Sequence, residues 1–240
     1  MTLILNIQRS LNMTKNIEEQ FNELITPFYT DINNHCNKHL NNDRMLIPII
    51  ASITQGVTVS LAEQIEKALA SNIAPEIILE MVYQLTPIMG QLKVEQALKI
   101  IKKVFTQHQI KLTEPQANSD SNFGAKTQAQ IYGTEIKNLL KDLPDEAGNF
   151  IPQALTNHFF NDFYNRGILS VRDRERYELL ALITLNVEFQ IKAHARGSLK
   201  AGNSESELIW SVIQLLPDIG FPFVINSVQI IHQAAKELTA

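Results

Sequence analysis

Residues 170–185 read SVRDRERYELLALITL, a pattern that indicates a helix with a defined start. Ser170 is followed three residues later by Asp173, which resembles the capping box at a helix N-terminus, and an apolar run follows. Residues 204–216, SESELIWSVIQLL, begin in the same way, and Gly202 ends the helix before them. No segment shows sustained alternation of apolar and polar residues bounded by hairpin turns. The sequence therefore predicts an all-α protein.

The chain resembles itself at an offset of 130 residues. The stretch that begins at Asp43 aligns without a gap with the stretch that begins at Asp173, and QLTPIMG at 84–90 is echoed by QLLPDIG at 214–220. Similarity in a fixed register is the signature of a repeated structural unit. We therefore predict two tandem helical-bundle repeats related by a pseudo-twofold axis. The predicted parts are an N-terminal repeat (1–110), a polar linker (111–125) and a C-terminal repeat (126–240).

Composition excludes several classes of protein. The 240 residues are 45% hydrophobic and 19% charged, with a net charge of -4 and no cluster of Lys or Arg, so we expect neither nucleic acid nor an acidic membrane surface as a partner. No apolar stretch approaches the ~20 residues of a membrane span. The single cysteine, Cys36, cannot form an internal disulfide. We expect a soluble, unprocessed cytoplasmic protein that starts at Met1 or Met13.

Three segments of the second half together resemble a known family. They are FYNRGILSVRDRE (163–175), HARGSLKAGNSESEL (194–208) and LLPDIGFPFVINS (215–227). In combination they are similar to the carboxymuconolactone decarboxylase family, which also contains alkylhydroperoxidase proteins, and the likeness is weaker in the first half. The resemblance implies an all-α fold whose units assemble as trimers or hexamers. A doubled chain would then form a homotrimer that imitates a hexamer.

The peroxidase branch of the family uses a Cys-x-x-Cys pair just before the family histidine. The corresponding positions here are Val187 and Gln190. Thiolate attack on a peroxide needs a resolving thiol nearby, and Cys36 lies outside the motif. We therefore predict no thiol chemistry in this chain.

The decarboxylase branch requires proton transfer at carbon and a means of holding the substrate. His194 matches the family histidine and is the candidate acid, with Glu175 able to orient it or to share its proton. Arg174, Arg196 and Gln190 are the candidate residues for binding an anionic substrate. Arg196 lies about 200° around the helix from His194, so the two reach one pocket only if another subunit closes it.

Simpler interpretations of these residues stay open. Glu175 would then be a first-turn acid favoured by the helix dipole and paired with an arginine, and His194 a core histidine. The helix that carries His194 also has two rows of side chains at intervals of four residues. The charged row is Glu188, Lys192 and Arg196, which is typical of a solvated face, and the small row is Ala193, Gly197 and Ala201, which suits close helix packing.

The first repeat lacks the polar set. The positions equivalent to Glu175, His194 and Arg196 hold Met45, Gln64 and Glu66, which indicates a structural role. Asp218 stands where the family commonly has an aromatic residue, so the substrate preference is not transferable. His35 and His39 lie in an Asn-rich segment, and we predict no metal site and no cofactor.

Three functions follow from these observations. The favoured one is a decarboxylase-like enzyme that uses Glu175 and His194 to decarboxylate or isomerise a small carboxylated lactone or a related anion. The alternatives are a peroxidase-side family member without thiol chemistry and a non-catalytic ligand-binding or assembly protein.

Overall fold

The computed structural model of the protein describes residues 15–239. This part of the chain is almost entirely helical and has no strand, only an isolated bridge between Ala117 and Arg166. The predicted all-α class is therefore confirmed. The two candidate start residues, Met1 and Met13, lie outside the described residues.

The helices follow one another closely along the chain. In order they are α1 (Ile17–Cys36), a 3₁₀ helix (Asn42–Leu46), α2 (Ile47–Gln55), α3 (Leu61–Ala70), α4 (Pro75–Gln84), α5 (Thr86–Met89), α6 (Gln91–Gln107), α7 (Phe123–Tyr132), α8 (Glu135–Leu140), α9 (Ala147–Ala154), a π-helical segment (Leu155–Tyr164), α10 (Val171–Leu185), α11 (Glu188–Lys200), α12 (Glu205–Gln214) and α13 (Leu216–Thr239).

Helix α10 lies at the centre of the molecule. Every residue from 174 to 184 is buried, so this helix is covered on all sides rather than along one stripe. The Ser170 side chain accepts a hydrogen bond from the backbone N–H of Asp173, and Asn186 ends the helix in the left-handed conformation. The predicted start of α10 is thus observed, and so is the serine cap of α12.

Helix bounds in the two halves correspond at the offset found in the sequence. Helices α4 (Pro75–Gln84) and α12 (Glu205–Gln214) begin and end 130 positions apart. Gly90 and Gly220 break the following helices at equivalent places, with φ of 88° and 77°. Glycine adopts this left-handed region without steric cost. The tandem duplication itself stays a prediction.

One hydrophobic core runs through both predicted repeats. It contains Ile50 and Met81 from the first half together with Leu180 and Val212 from the second. Helix α6 ends at Gln107 and α7 begins at Phe123, so the non-helical connection lies slightly before the predicted linker and is not shorter than it. The described halves therefore pack about a shared interior.

Helix α1 belongs to the first half but packs against α12 of the second. The Cys36 thiol at its end is buried and lies 3.8 Å from the carbonyl oxygen of Trp210. The His39 ring stacks on Trp210, with 4.2 Å between ring centroids. Within residues 15–239, no helix combines the length and the apolar character needed to cross a lipid bilayer.

Candidate functional site

Glu175 is a fully buried carboxylate in the second turn of α10. Two tyrosine hydroxyls donate hydrogen bonds to it: Tyr132, at the end of α7, bonds to Oε2, and Tyr164, at the end of the π-helical segment, bonds to Oε1 at 2.7 Å. Burial, and then the charge of Glu175, raises the pKa of both hydroxyls well above its usual range, so both remain donors. Among the described residues, Glu175 pairs with no arginine, unlike the first-turn acid of the simpler interpretation.

His194 approaches this carboxylate from α11. Its Nδ1 lies 2.9 Å from the Tyr132 hydroxyl and 3.6 Å from Glu175 Oε2, and 12% of its side chain is exposed. The structure thus brings Glu175 and His194 together. A core histidine would bond to the backbone, whereas the partner of this ring is another side chain of the site.

Gly197 makes room for the contact between α7 and α10. A Cβ atom at this position would lie 2.5 Å from the Tyr132 hydroxyl and 2.9 Å from Glu175 Oε2. Side-chain carbon does not approach oxygen atoms so closely, so a larger residue would displace the tyrosine. The small residue in the middle of the predicted stripe therefore packs within the chain, directly against the site.

Glu178 is a second buried carboxyl group, one turn after Glu175. Its Oε1 accepts hydrogen bonds from Gln84 of α4 and from Tyr164 at 3.0 Å. Its Oε2 has no hydrogen-bond partner and lies 3.5 Å from His194 Nδ1. Burial, and then the charge of Glu175, raises the pKa of Glu178 well above its usual range. Burial therefore favours the neutral form of Glu178.

Arg174 does not reach the site that its neighbour Glu175 forms. Its side chain is fully buried and bonds to Gln84, to Glu80 at 3.0 Å and to the backbone oxygen of Arg166 at 2.6 Å. Arg166 in turn donates from Nε to both oxygens of Glu80. The guanidinium group of Arg174 therefore holds the two halves together and is not available to a substrate.

A cavity of about 680 Å³ opens beside His194. Gln190 lines it, and its role in binding a substrate stays a prediction. Arg196 does not line the cavity. Its side chain bonds at 3.2 Å to Glu135, which is a lining residue, and it faces an open groove on the other side of α11. The predicted separation of Arg196 from His194 around the helix is thus observed.

Three of these side chains could hold a metal ion. Ligand atoms of Glu175, Glu178 and His194 lie within 4.8 Å of one another. In the described arrangement the Tyr132 hydroxyl already contacts both Glu175 Oε2 and His194 Nδ1, so an ion bound there would have to displace it. A histidine joined to a buried carboxylate through a tyrosine is an arrangement suited to proton transfer.

Sequence reasoning missed four members of the site: Tyr132, Tyr164, Glu178 and Gln84. A signal for Glu178 was present, because it follows Glu175 by three residues and so lies on the same helix face. The other three come from α4, α7 and the π-helical segment, and no local pattern connects them with α10.

A comparison with known protein families gives a match within the second half of the chain. Residues 151–233 match the model of the carboxymuconolactone decarboxylase family. The matched region contains Glu175 and His194 but neither Tyr132 nor the first half. No curated protein matches the chain.

Proposed function

We propose that this protein is an enzyme of the carboxymuconolactone decarboxylase type, in which His194 transfers a proton at a carbon next to a carbonyl group. The observation that carries the proposal is the chain of contacts from His194 Nδ1 through the Tyr132 hydroxyl to the buried Glu175, at the wall of a large cavity. The family match of the segment that holds both residues supports it. The reaction is the decarboxylation or the isomerisation of a small lactone or related carbonyl compound.

The contacts of His194 give its two ring nitrogens different roles. Nδ1 faces Tyr132, which leaves Nε2 as the nitrogen that meets the substrate. When Nε2 takes a proton from carbon, the imidazolium that forms is stabilised by the carboxylate of Glu175 at 3.6 Å. The electron pair left on carbon passes to the carbonyl oxygen as an enolate, and the proton returns from Nε2 to a different carbon.

Decarboxylation would use the same groups in the opposite order. The bond between carbon and the carboxylate breaks, carbon dioxide leaves, and its electron pair forms the enolate. The imidazolium of His194 then donates its proton to carbon and is reprotonated by water. In both reactions burial favours the neutral form of Glu178, so this group adds no further negative charge beside His194.

Assembly forms a separate part of the proposal. We propose that the two halves arose by duplication, because helix bounds and the breaks at Gly90 and Gly220 recur at the offset of 130. We propose in addition that the chain forms a homotrimer, which is what the resemblance to the family implies. The expected solution mass is that of three chains of 27.1 kDa each. A single-chain mass at micromolar concentration, measured by light scattering, would contradict the trimer.

A non-catalytic ligand-binding protein is the second candidate function. The observation that favours it is the cavity itself, which would hold a ligand whether or not chemistry follows. A peroxidase role has less support, because Val187 and Gln190 occupy the thiol positions and Cys36 is buried against Trp210. Burial also raises the pKa of the Cys36 thiol to about 11, which keeps it from forming the reactive thiolate.

The experiment follows proton transfer in deuterated water. The purified chain is incubated with carboxymuconolactone and with a panel of small lactones, and nuclear magnetic resonance detects deuterium at carbon, isomerised product and carbon dioxide loss. We expect His194→Gln to lower the rate by ~10²–10⁴ and Glu175→Gln to lower it comparably. The matched control is His232→Gln, since His232 is exposed and also bonds to a carboxylate, that of Glu205, at 2.6 Å.

Two results would contradict the enzyme. One is a panel in which no compound exchanges or reacts although one of them binds, which would favour the ligand-binding function. The other is a His194→Gln variant that turns over a substrate as fast as the His232→Gln control does.

A further inference from the structure

The wall of the cavity beside His194 is mostly hydrocarbon. Its apolar lining residues come from both halves of the chain. They are Pro87, Ile88, Ile136, Leu139, Leu155, Phe159, Phe160, Leu182, Phe189 and Ala193. Cavities of ~300–1,000 Å³ hold ligands of drug size, so about 680 Å³ is more than a small lactone ring needs.

The charges around the cavity do not suit an anion. No lysine or arginine is among its lining residues, and Glu135 is. The guanidinium of Arg174 is bonded to Glu80 and Gln84, while Arg196 is bonded to Glu135 and faces the groove beyond α11. A carboxylate in the cavity would lose its water without a lysine or arginine to pair with, and burying an unpaired charge is costly.

Polar residues are a minority of the lining, and three of them lie at or beside His194. Tyr132 and His194 meet at one wall, and Gln190 lies on the same helix as His194, one turn before it. A carbonyl oxygen can accept hydrogen bonds from such groups without bringing charge. The rest of the lining is mostly apolar surface that excludes water, with Gln128, Glu135 and Asn138 as its polar residues.

We propose that the substrate of this site is a neutral carbonyl compound with a sizeable hydrocarbon part, whose carbonyl group lies at His194 and whose hydrocarbon fills the apolar part of the cavity. This inference rests on the proposed function and narrows it. A neutral substrate has no carboxylate to lose, so the reaction is the isomerisation, in which His194 moves a proton between two carbons. It also replaces the expectation of a small anionic substrate.

The test measures binding separately from turnover. The probes are γ-butyrolactone, γ-octalactone and γ-dodecalactone, and a γ-lactone of the same chain length that ends in a carboxylate. Calorimetry with the full chain is expected to show affinity rising about three- to fourfold per methylene group until the cavity is full. The carboxylated analogue is expected to bind at least tenfold more weakly than its neutral match.

A charge added at the cavity should reverse this preference. Leu139 lines the cavity and is 57% exposed, so Leu139→Arg supplies the missing cation without disturbing the core. We expect this variant to bind the carboxylated analogue more tightly than the parent does. The control is Leu143→Arg, since Leu143 is also exposed but is not a lining residue.

The results separate this inference from the proposed function. Chain-length dependence in both the parent and His194→Gln supports the substrate class even if no lactone is turned over. Tighter binding of the carboxylated analogue by the parent overturns it, and so does an affinity that does not rise with chain length. Absence of binding for every lactone also overturns it.

Discussion

The start of α10 and the equivalent segment of the first half have similar sequences but form different helices. At the offset of 130, Glu178 corresponds to Pro48. Helix α10 continues through Glu178 in an unbroken run, whereas the first half forms a 3₁₀ helix that ends at Leu46, and α2 begins at Ile47. Proline has no N–H to donate and is best accommodated in the first turn of a helix, so Pro48 favours a helix that starts at Ile47.

This difference accompanies a contrast in burial, because only α10 of the two equivalent helices carries ionisable side chains in the interior. Residues 174–178 of α10 bury four arginine and glutamate side chains, each no more than 4% exposed. Helix α2 buries no charged residue. Burying charge costs free energy unless partners are supplied, and the first half supplies three of them, Glu80, Gln84 and Asp43. The first half therefore contributes more than apolar packing, since its side chains pair with and position the buried polar groups of the second half.

The largest effect is expected from Arg174→Met. Removing this guanidinium leaves the buried Glu80 with Arg166 alone, and breaking a buried pair in this way costs about 3–5 kcal/mol of unfolding free energy. Urea unfolding measures it. The matched control is Arg44→Met, because Arg44 is the first-half counterpart, is only partly buried and makes long contacts at 3.4–3.5 Å. An equal loss in both variants would contradict the asymmetry between the halves.

The next effect is expected from Gly197→Ala. The added methyl group would displace the Tyr132 hydroxyl from Glu175 and His194, and misplacement of a catalytic group by about 1 Å can cost ~10²-fold in rate. We expect proton exchange in deuterated water to fall ~10–100-fold. The first-half counterpart is Lys67, whose side chain is exposed, so Lys67→Ala should change nothing. Full activity of Gly197→Ala would show that Tyr132 has no part in the reaction.

A smaller effect of opposite sign is expected from Asp218→Asn. Burial raises the pKa of Asp218 to about 6 from 3.8, so the native state keeps this proton to higher pH than the unfolded chain does. Stability is therefore lost as pH rises from about 4 to 6, and the loss persists at pH 7. Its first-half counterpart is the apolar Ile88.

Asparagine cannot ionise. The free energy of unfolding of Asp218→Asn is therefore expected to exceed that of the parent chain by about 1–3 kcal/mol at pH 7 and to equal it closely at pH 4. Urea unfolding at the two pH values measures the difference, with the exposed Asp142→Asn as the control. A stabilisation that is the same at both pH values would mean that ionisation of Asp218 is not its cause.

The smallest effect is expected from Cys36→Ser. The thiol joins α1 to α12 through a long contact with Trp210, far from the cavity lining, and a serine hydroxyl can donate to the same oxygen. We expect unchanged proton exchange and a loss of about 1 kcal/mol or less in unfolding free energy. Consumption of peroxide that stops in this variant would reverse the conclusion that the chain has no thiol chemistry.

Much of the fold and part of the site could be predicted from the sequence alone. Capping at Ser170 and Ser204 is a contact between neighbours in the chain, so its pattern is visible in the residues themselves. The pairing of Glu175 with His194 could be expected because the segment that carries both resembles a known family. The burial of Glu175 could be expected because it shares a helix face with Leu179 and Leu182.

Only the tertiary structure decided how these residues are used. Tyr132 reaches Glu175 across 43 positions, and Arg174 reaches Gln84 across 90. Such contacts depend on which helices pack together, and helical spacing says nothing about that choice. It is packing that turns Arg174 away from the cavity, favours the neutral form of Glu178 by burial and lines the cavity with hydrocarbon. The sequence determined which residues could carry charge and protons, and the packing of α4, α7 and α11 on α10 determined which of them meet a substrate.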